Sequence, residues 1–198
     1  GPLLHVISRP QAGSSRELAI VYVTPLKALA RDIAQAIQRP LNDLGWPIEV
    51  DLRTGDTTAT ARRRFKEHLP HVLVTTPESL AILLTHQGWE DRMQGVQAIV
   101  LDEWHELMGT KRGSLLELTL ARLRAAARAA RVWALSATIA NVEEAASVAV
   151  GNGNQATIIH ADLPRHITIH CLLPGSIQRC PWFGYSGLSL LPEVLEQI

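Results

Sequence analysis

The stretch Val96-Gln97-Ala98-Ile99-Val100-Leu101-Asp102-Glu103-Trp104-His105 decides the fold. Its run from Val96 to Leu101 is apolar apart from Gln97, which reads as a buried strand. Two adjacent carboxylates and a histidine follow at the carboxyl end of that strand, where open α/β sheets bind their ligands. An Asp-Glu pair in that place can hold a magnesium ion through one carboxylate and polarise an attacking water with the other. A second apolar strand, Val132 to Leu135, leads into Ser136-Ala137-Thr138.

Working outward, strand-like runs recur at 18–23, 48–53, 71–75, 96–101, 132–135 and 156–160. Helical patterns lie between them at 25–38, 57–67, 77–85, 114–129 and 141–149. Strands alternating with helices predict an α/β fold, a parallel sheet with helices on both faces. The turn residues Gly151 to Asn154 close this unit, so residues 1–150 read as one domain. Residues 151–187 read as the last strands and a linker. They hold the strand candidates Thr157-Ile158-Ile159 and Ile167-Thr168-Ile169 and then a stretch rich in glycine, proline and aromatics. Residues 188–198 could open an amphipathic helix, the start of a second domain.

The 198 residues can bury one substantial core, and nearly half are apolar, an ordinary globular composition. Zero formal net charge excludes a broadly basic surface, so any nucleic-acid contact must come from local groups. Cys171 and Cys180, with no secretory signal, read as free thiols of a reducing cytosol rather than a disulfide. No apolar run reaches the ~18 residues of a membrane span, and Leu3 to Ile7 is too short for a signal peptide.

Several short motifs sit where strands end. Thr24-Pro25-Leu26-Lys27 follows the first strand, and Thr76-Pro77-Glu78 follows Val72 to Thr75. Threonine is a good N-cap and proline suits the first helical turn, so each places free N–H groups at the sheet edge, able to receive phosphate. Thr-Pro is also a common helix start with no ligand. Arg53-Thr54-Gly55-Asp56 follows another strand. There Gly55 permits close backbone approach and Thr54 can donate to a phosphate oxygen, or the segment is simply a turn. Arg62, Arg63 and Arg64 point in different directions on a helix and read as a solvated face, as do Arg122, Arg124, Arg128 and Arg131. His105-Glu106 is not a zinc-protease motif, because H-E-x-x-H needs a histidine where Gly109 stands. Gly184-Tyr185-Ser186-Gly187 is not a nucleophile elbow, because Leu188 stands where G-x-S-x-G needs glycine. Trp104 and Trp133 read as packing residues, and Trp182 falls in the linker.

The glycine-rich phosphate loop G-x-x-x-x-G-K-[ST] is absent: the only lysines are Lys27, Lys66 and Lys111, and none follows a glycine. The chain thus reads as a piece of a nucleotide-driven motor lacking that loop.

Together these motifs resemble the large helicase-related (Lhr) family of superfamily 2 DEXH-box helicases. Residues 24–32, 53–57 and 75–80 resemble its motifs Ia, Ib and Ic. Asp102-Glu103-Trp104-His105 resembles motif II and Ser136-Ala137-Thr138 motif III. The tryptophan in the box, Gly109-Thr110-Lys111-Arg112-Gly113, His160 to Pro164 and Pro181-Trp182 are most similar to the bacterial ligase-associated branch. The resemblance implies a RecA-like fold of the P-loop NTPase type and an ATP-driven 3′ to 5′ translocase on single-stranded DNA or a DNA/RNA hybrid. It further implies a repair role in the bacterial cytoplasm, with DNA ligase and nuclease partners. Under it, Asp102 would bind magnesium through water and Glu103 would orient the attacking water of ATP hydrolysis. His105 would couple that centre to Ser136 and Thr138. Pro25, Lys27, Arg53, Thr54, Gly55, Thr76 and Pro77 would lie along the DNA. The phosphate-loop strand normally lies inside such a sheet, so without it edge groups or a gap are expected.

Overall fold

The computed structural model describes residues 18–137, 139–151, 153–160 and 195. The chain divides into two compact units, Gly1–Ile158 and Ile159–Ile198, and nearly all the described residues belong to the first. Its elements in order are β1 (Ile20–Val23), α1 (Lys27–Asp43), β2 (Val50–Arg53), α2 (Ala59–Glu67), β3 (Val72–Thr75) and α3 (Pro77–Leu83). There follow α4 (Trp89–Met93), β4 (Ala98–Leu101), α5 (Trp104–Leu107), α6 (Lys111–Ala126), β5 (Arg131–Ala134) and α7 (Val142–Val150).

The strands form one five-stranded sheet in the order β2-β3-β1-β4-β5. Every pairing is parallel, with Tyr22 beside both Val74 and Val100, and Val100 beside Trp133. Alternate side chains enter opposite layers, as the pleat requires. Val21, Val23, Ile99 and Leu101 pack with Leu80 of α3, Trp104 of α5 and Leu116 and Leu120 of α6. Ile20, Tyr22, Val74 and Val100 pack with Ala30 and Ile33 of α1. Helices therefore cover both faces, as expected, and both carboxyl-terminal motifs emerge on one sheet edge.

Three expectations need correction. Residues 156–160 carry no strand. The chain turns at Gly151, where Asn154 N–H donates back to the Gly151 carbonyl. Ile159 is 80% exposed, and no described strand accepts the segment. Second, α1 begins at Lys27 with Leu26 as its extended N-cap, not at Pro25. The Pro25 carbonyl is taken by the Arg112 side chain, and the first helical bond runs from Ala30 N–H to Leu26. Third, α1 runs past Pro40 to Asp43; proline loses only one bond there, in the helix's last turn. The sheet has no internal gap. Among the described residues β5 pairs only with β4 and β2 only with β3, so these two strands are the edges, and in β5 the buried Trp133 Nε1 finds no hydrogen-bond partner.

Candidate active site and nucleic-acid edge

Asp102 continues the β4 ladder by one bond, its N–H donating to Val23 at 2.8 Å. The Asp102 carboxylate then accepts the Glu103 N–H at 3.1 Å. Glu103 lies at φ 48° and ψ 45° and is the one described non-glycine residue in the left-handed region. That conformation costs a residue with a long side chain of order 1 kcal/mol or more, and such strain clusters at functional sites. It is held from both sides. Trp104 N–H donates to the Leu135 carbonyl at 2.9 Å, and the buried Trp104 indole donates to Ala145 at 3.1 Å. Trp104 is thus a packing residue that pins α5 to β5 and α7.

His105 joins the box to the segment after β5. Its Nδ1 accepts the Ala137 N–H at 3.3 Å and lies 3.2 Å from Ser136 Oγ. An accepting Nδ1 places the proton of the neutral ring on Nε2, which faces Glu106 at 3.5 Å. Glu103 Oε2 is 3.5 Å from the same Nδ1. Asp102, Glu103, His105 and Ser136 therefore form one contiguous group, whereas Thr138 lies outside the described residues.

Tyr22 was not anticipated. It neighbours Val100 in register, so its ring shares a face with Asp102 two residues on. Burial first, and then the nearby Asp102 carboxylate, push the phenol well above its ordinary value. The parallel register carried this signal, but only once β1 and β4 were known to be neighbours. Among the described residues no three histidine, cysteine or carboxylate side chains converge on a metal position. A magnesium ion at Asp102 suits the hard oxygen donors present and would keep most of its water, as this ion commonly does.

The nucleic-acid candidates share the same edge. Lys27 is exposed, but its ammonium is 2.6 Å from Asp56. Gly55 lies against it, since a Cβ there would come within 3.4 Å of Nζ. The Thr54 N–H donates to Thr57 Oγ1 and its carbonyl accepts the Thr57 N–H, so this backbone is committed to a turn. Arg53 faces inward. It is 3% exposed, with one guanidinium nitrogen 3.4 Å from His86 Nε2 and the group 5.7 Å from the Phe65 ring. It supports the edge from beneath rather than reaching outward. Pro77 opens α3 as expected, while Thr76 Oγ1 donates to Ser79 Oγ instead of capping the backbone. Pro25, Thr76 and Pro77 are buried. Arg62, Arg63 and Arg64 diverge, to the Thr57 carbonyl, to Glu67 and to Asp51 with Glu49 respectively.

Known proteins share sequence and fold with this chain. The sequence pattern of the DEAD/DEAH box helicase family matches residues 2–145. The ATP-dependent helicase Lhr-Core of Methanocaldococcus jannaschii is 38% identical over 165 residues, which make up 78% of this chain and 19% of that protein. The Lhr helicase/uracil glycosylase of Escherichia coli is 33% identical over 175 residues, 83% of this chain and 11% of that protein. The structure of Mycobacterium smegmatis helicase Lhr bound to ssDNA and AMP-PNP matches with a TM-score of 0.59 at 36% identity, covering 68% of this chain and 19% of that one. The chain thus spans less than a fifth of the length of these relatives. With a RecA-like sheet, the two carboxylates at the end of β4 and these relatives, the chain belongs to the DEAD/DEAH box helicase family and resembles its Lhr-type members.

Proposed function

We propose that this chain forms part of the first motor domain of an ATP-dependent helicase that moves 3′ to 5′ along single-stranded DNA in repair. The observation that carries the reading is the strained Glu103, set between Asp102 and a histidine that reaches Ser136 and Ala137. Bound magnesium would neutralise developing phosphate charge. Asp102 would orient its water ligands, with Tyr22 fixing the carboxylate. Glu103 would hold the attacking water and accept its proton. His105, Ser136 and Thr138 would couple that centre to the strand-gripping edge. Lys27, the Thr54-Gly55 turn and the helix starts near Pro25 and Pro77 would follow the nucleic-acid backbone, with Arg53 behind them.

The reading is supported by relatives that are ATP-dependent helicases, and by one Lhr helicase whose structure holds ssDNA and AMP-PNP. The Trp104-containing box and Gly109 to Gly113 favour the ligase-associated branch, and with it DNA ligase and nuclease partners in a bacterial cytoplasm. No described helix is long and apolar enough to cross a membrane. A second reading is a nucleic-acid-binding module that hydrolyses nothing. Because these 198 residues hold no G-x-x-x-x-G-K-[ST], we expect this stretch by itself not to turn over ATP. The deciding test is DNA-stimulated ATP hydrolysis by the full-length protein that carries this sequence. Stimulated turnover supports the motor, whereas DNA binding without turnover supports the module.

A further inference from the structure

We propose that Arg112 is a positioning residue that clamps the two helix starts of the nucleic-acid edge at a fixed spacing. The proposal rests on the reading of that edge given above. Arg112 Nε donates to Glu78 Oε1 at 2.5 Å and Nη2 to Glu78 Oε2 at 3.2 Å, a two-pronged pairing. The same Nη2 donates to the Pro25 carbonyl at 2.7 Å. One guanidinium therefore joins the segment that opens α1 to the first turn of α3. A planar fork can satisfy a carboxylate and a third acceptor together, which a single ammonium cannot do.

The backbone places Arg112 there by specific means. Thr110 caps α6 by accepting the Gly113 N–H at 3.1 Å. Its hydroxyl donates to the Leu107 carbonyl at 2.7 Å, tying α6 to the end of α5. A Cβ at Gly113 would lie 2.1 Å from that carbonyl oxygen, so only glycine allows this approach. The clamp thus hangs from the short helix whose other end is Glu103. Glu78 would otherwise set an uncompensated negative charge beside Pro77, against any phosphate. Arg112 neutralises it while its own guanidinium is engaged inward.

The test combines a distance and an affinity in the full chain. Spin labels go on cysteines at the exposed Leu26 and Ile82, with Cys171 and Cys180 changed to serine, and dipolar spectroscopy reads their separation. Arg112→Gln should broaden that distance distribution, and Arg112→Lys should not restore it. By fluorescence anisotropy against a labelled oligothymidylate, unlabelled Arg112→Gln should bind about tenfold more weakly, within the usual range for coupled residues. The loss should persist in Arg112→Gln/Glu78→Gln, which keeps the net charge. An unchanged distance distribution would overturn the proposal. So would recovery of wild-type affinity in the double variant, because Arg112 would then act only by cancelling Glu78. A broadened distribution with no DNA binding by any variant, wild type included, would uphold the clamp and refute the nucleic-acid reading of the edge.

Discussion

Replacing Asp56 by asparagine should tighten the hold on single-stranded DNA. The Lys27 side chain is exposed at the carboxyl edge beside the Gly55 turn, and Asp56 engages it at 2.6 Å. Both partners are more than half exposed, 52% and 62%. An exposed pair is worth about 0–1 kcal/mol, so releasing Lys27 costs the fold little. The same figure bounds the gain: up to about fivefold in affinity at low salt, since 1.4 kcal/mol is a factor of ten. A freed ammonium displaces one more counterion, so the slope of log affinity against log salt should steepen by about 0.7 on a single strand. Lys27→Ala should weaken binding to all sequences alike, and Asp56→Asn should do nothing further in that background. Anisotropy titrations between about 50 and 200 mM salt read both quantities. Weaker binding by a folded Asp56→Asn variant, or a full effect without Lys27, would show that Asp56 does not restrain this lysine.

Other outcomes follow from the same geometry. Glu103→Asn should raise the melting temperature by roughly 2–4 °C, because asparagine tolerates the left-handed region and strain there is of order 1 kcal/mol; a lower value would mean the carboxylate stabilises the fold. Gly113→Ala should cost about 1–3 kcal/mol by driving a methyl into the Leu107 carbonyl, and an unchanged denaturation midpoint would refute that contact. The Arg112 guanidinium holds the Glu78 carboxyl below its ordinary 4.5. Its folded state therefore binds fewer protons, and the stability this adds is present above pH 4.5 and lost as pH falls through the lowered value. The melting-temperature gap between wild type and Glu78→Gln should accordingly close in acid, and a gap independent of pH would contradict the pairing.

The sheet was legible because each strand is a short apolar run bounded by turn chemistry, and the sheet order sets the Asp102 and Thr-Pro motifs on one edge. Other features were not legible for identifiable reasons. Helices α4 and α5 span Trp89–Met93 and Trp104–Leu107, too short for a helical period to register. The run at 156–160 has strand-like residues but no described neighbour to pair with. Thr24-Pro25 and Thr76-Pro77 look alike in sequence, yet Arg112, distant in the chain, takes the Pro25 carbonyl, and the helical bonding begins only at the Leu26 carbonyl. Arg53 resembled a surface cation until its neighbours His86 and Phe65 enclosed it. Tyr22, Arg112 and Asp56 act through partners far away in sequence, so their contributions depend on the tertiary register.

The most direct test of the central claim is single-turnover ATP hydrolysis by the full-length protein carrying Glu103→Gln, measured beside nucleotide affinity. The amide keeps the shape of Glu103 but cannot take a proton from water. The expected result is unchanged ATP binding with hydrolysis slowed by about 10²–10⁴. Near-normal hydrolysis would place the catalytic carboxylate elsewhere and contradict the assignment of the β4 edge.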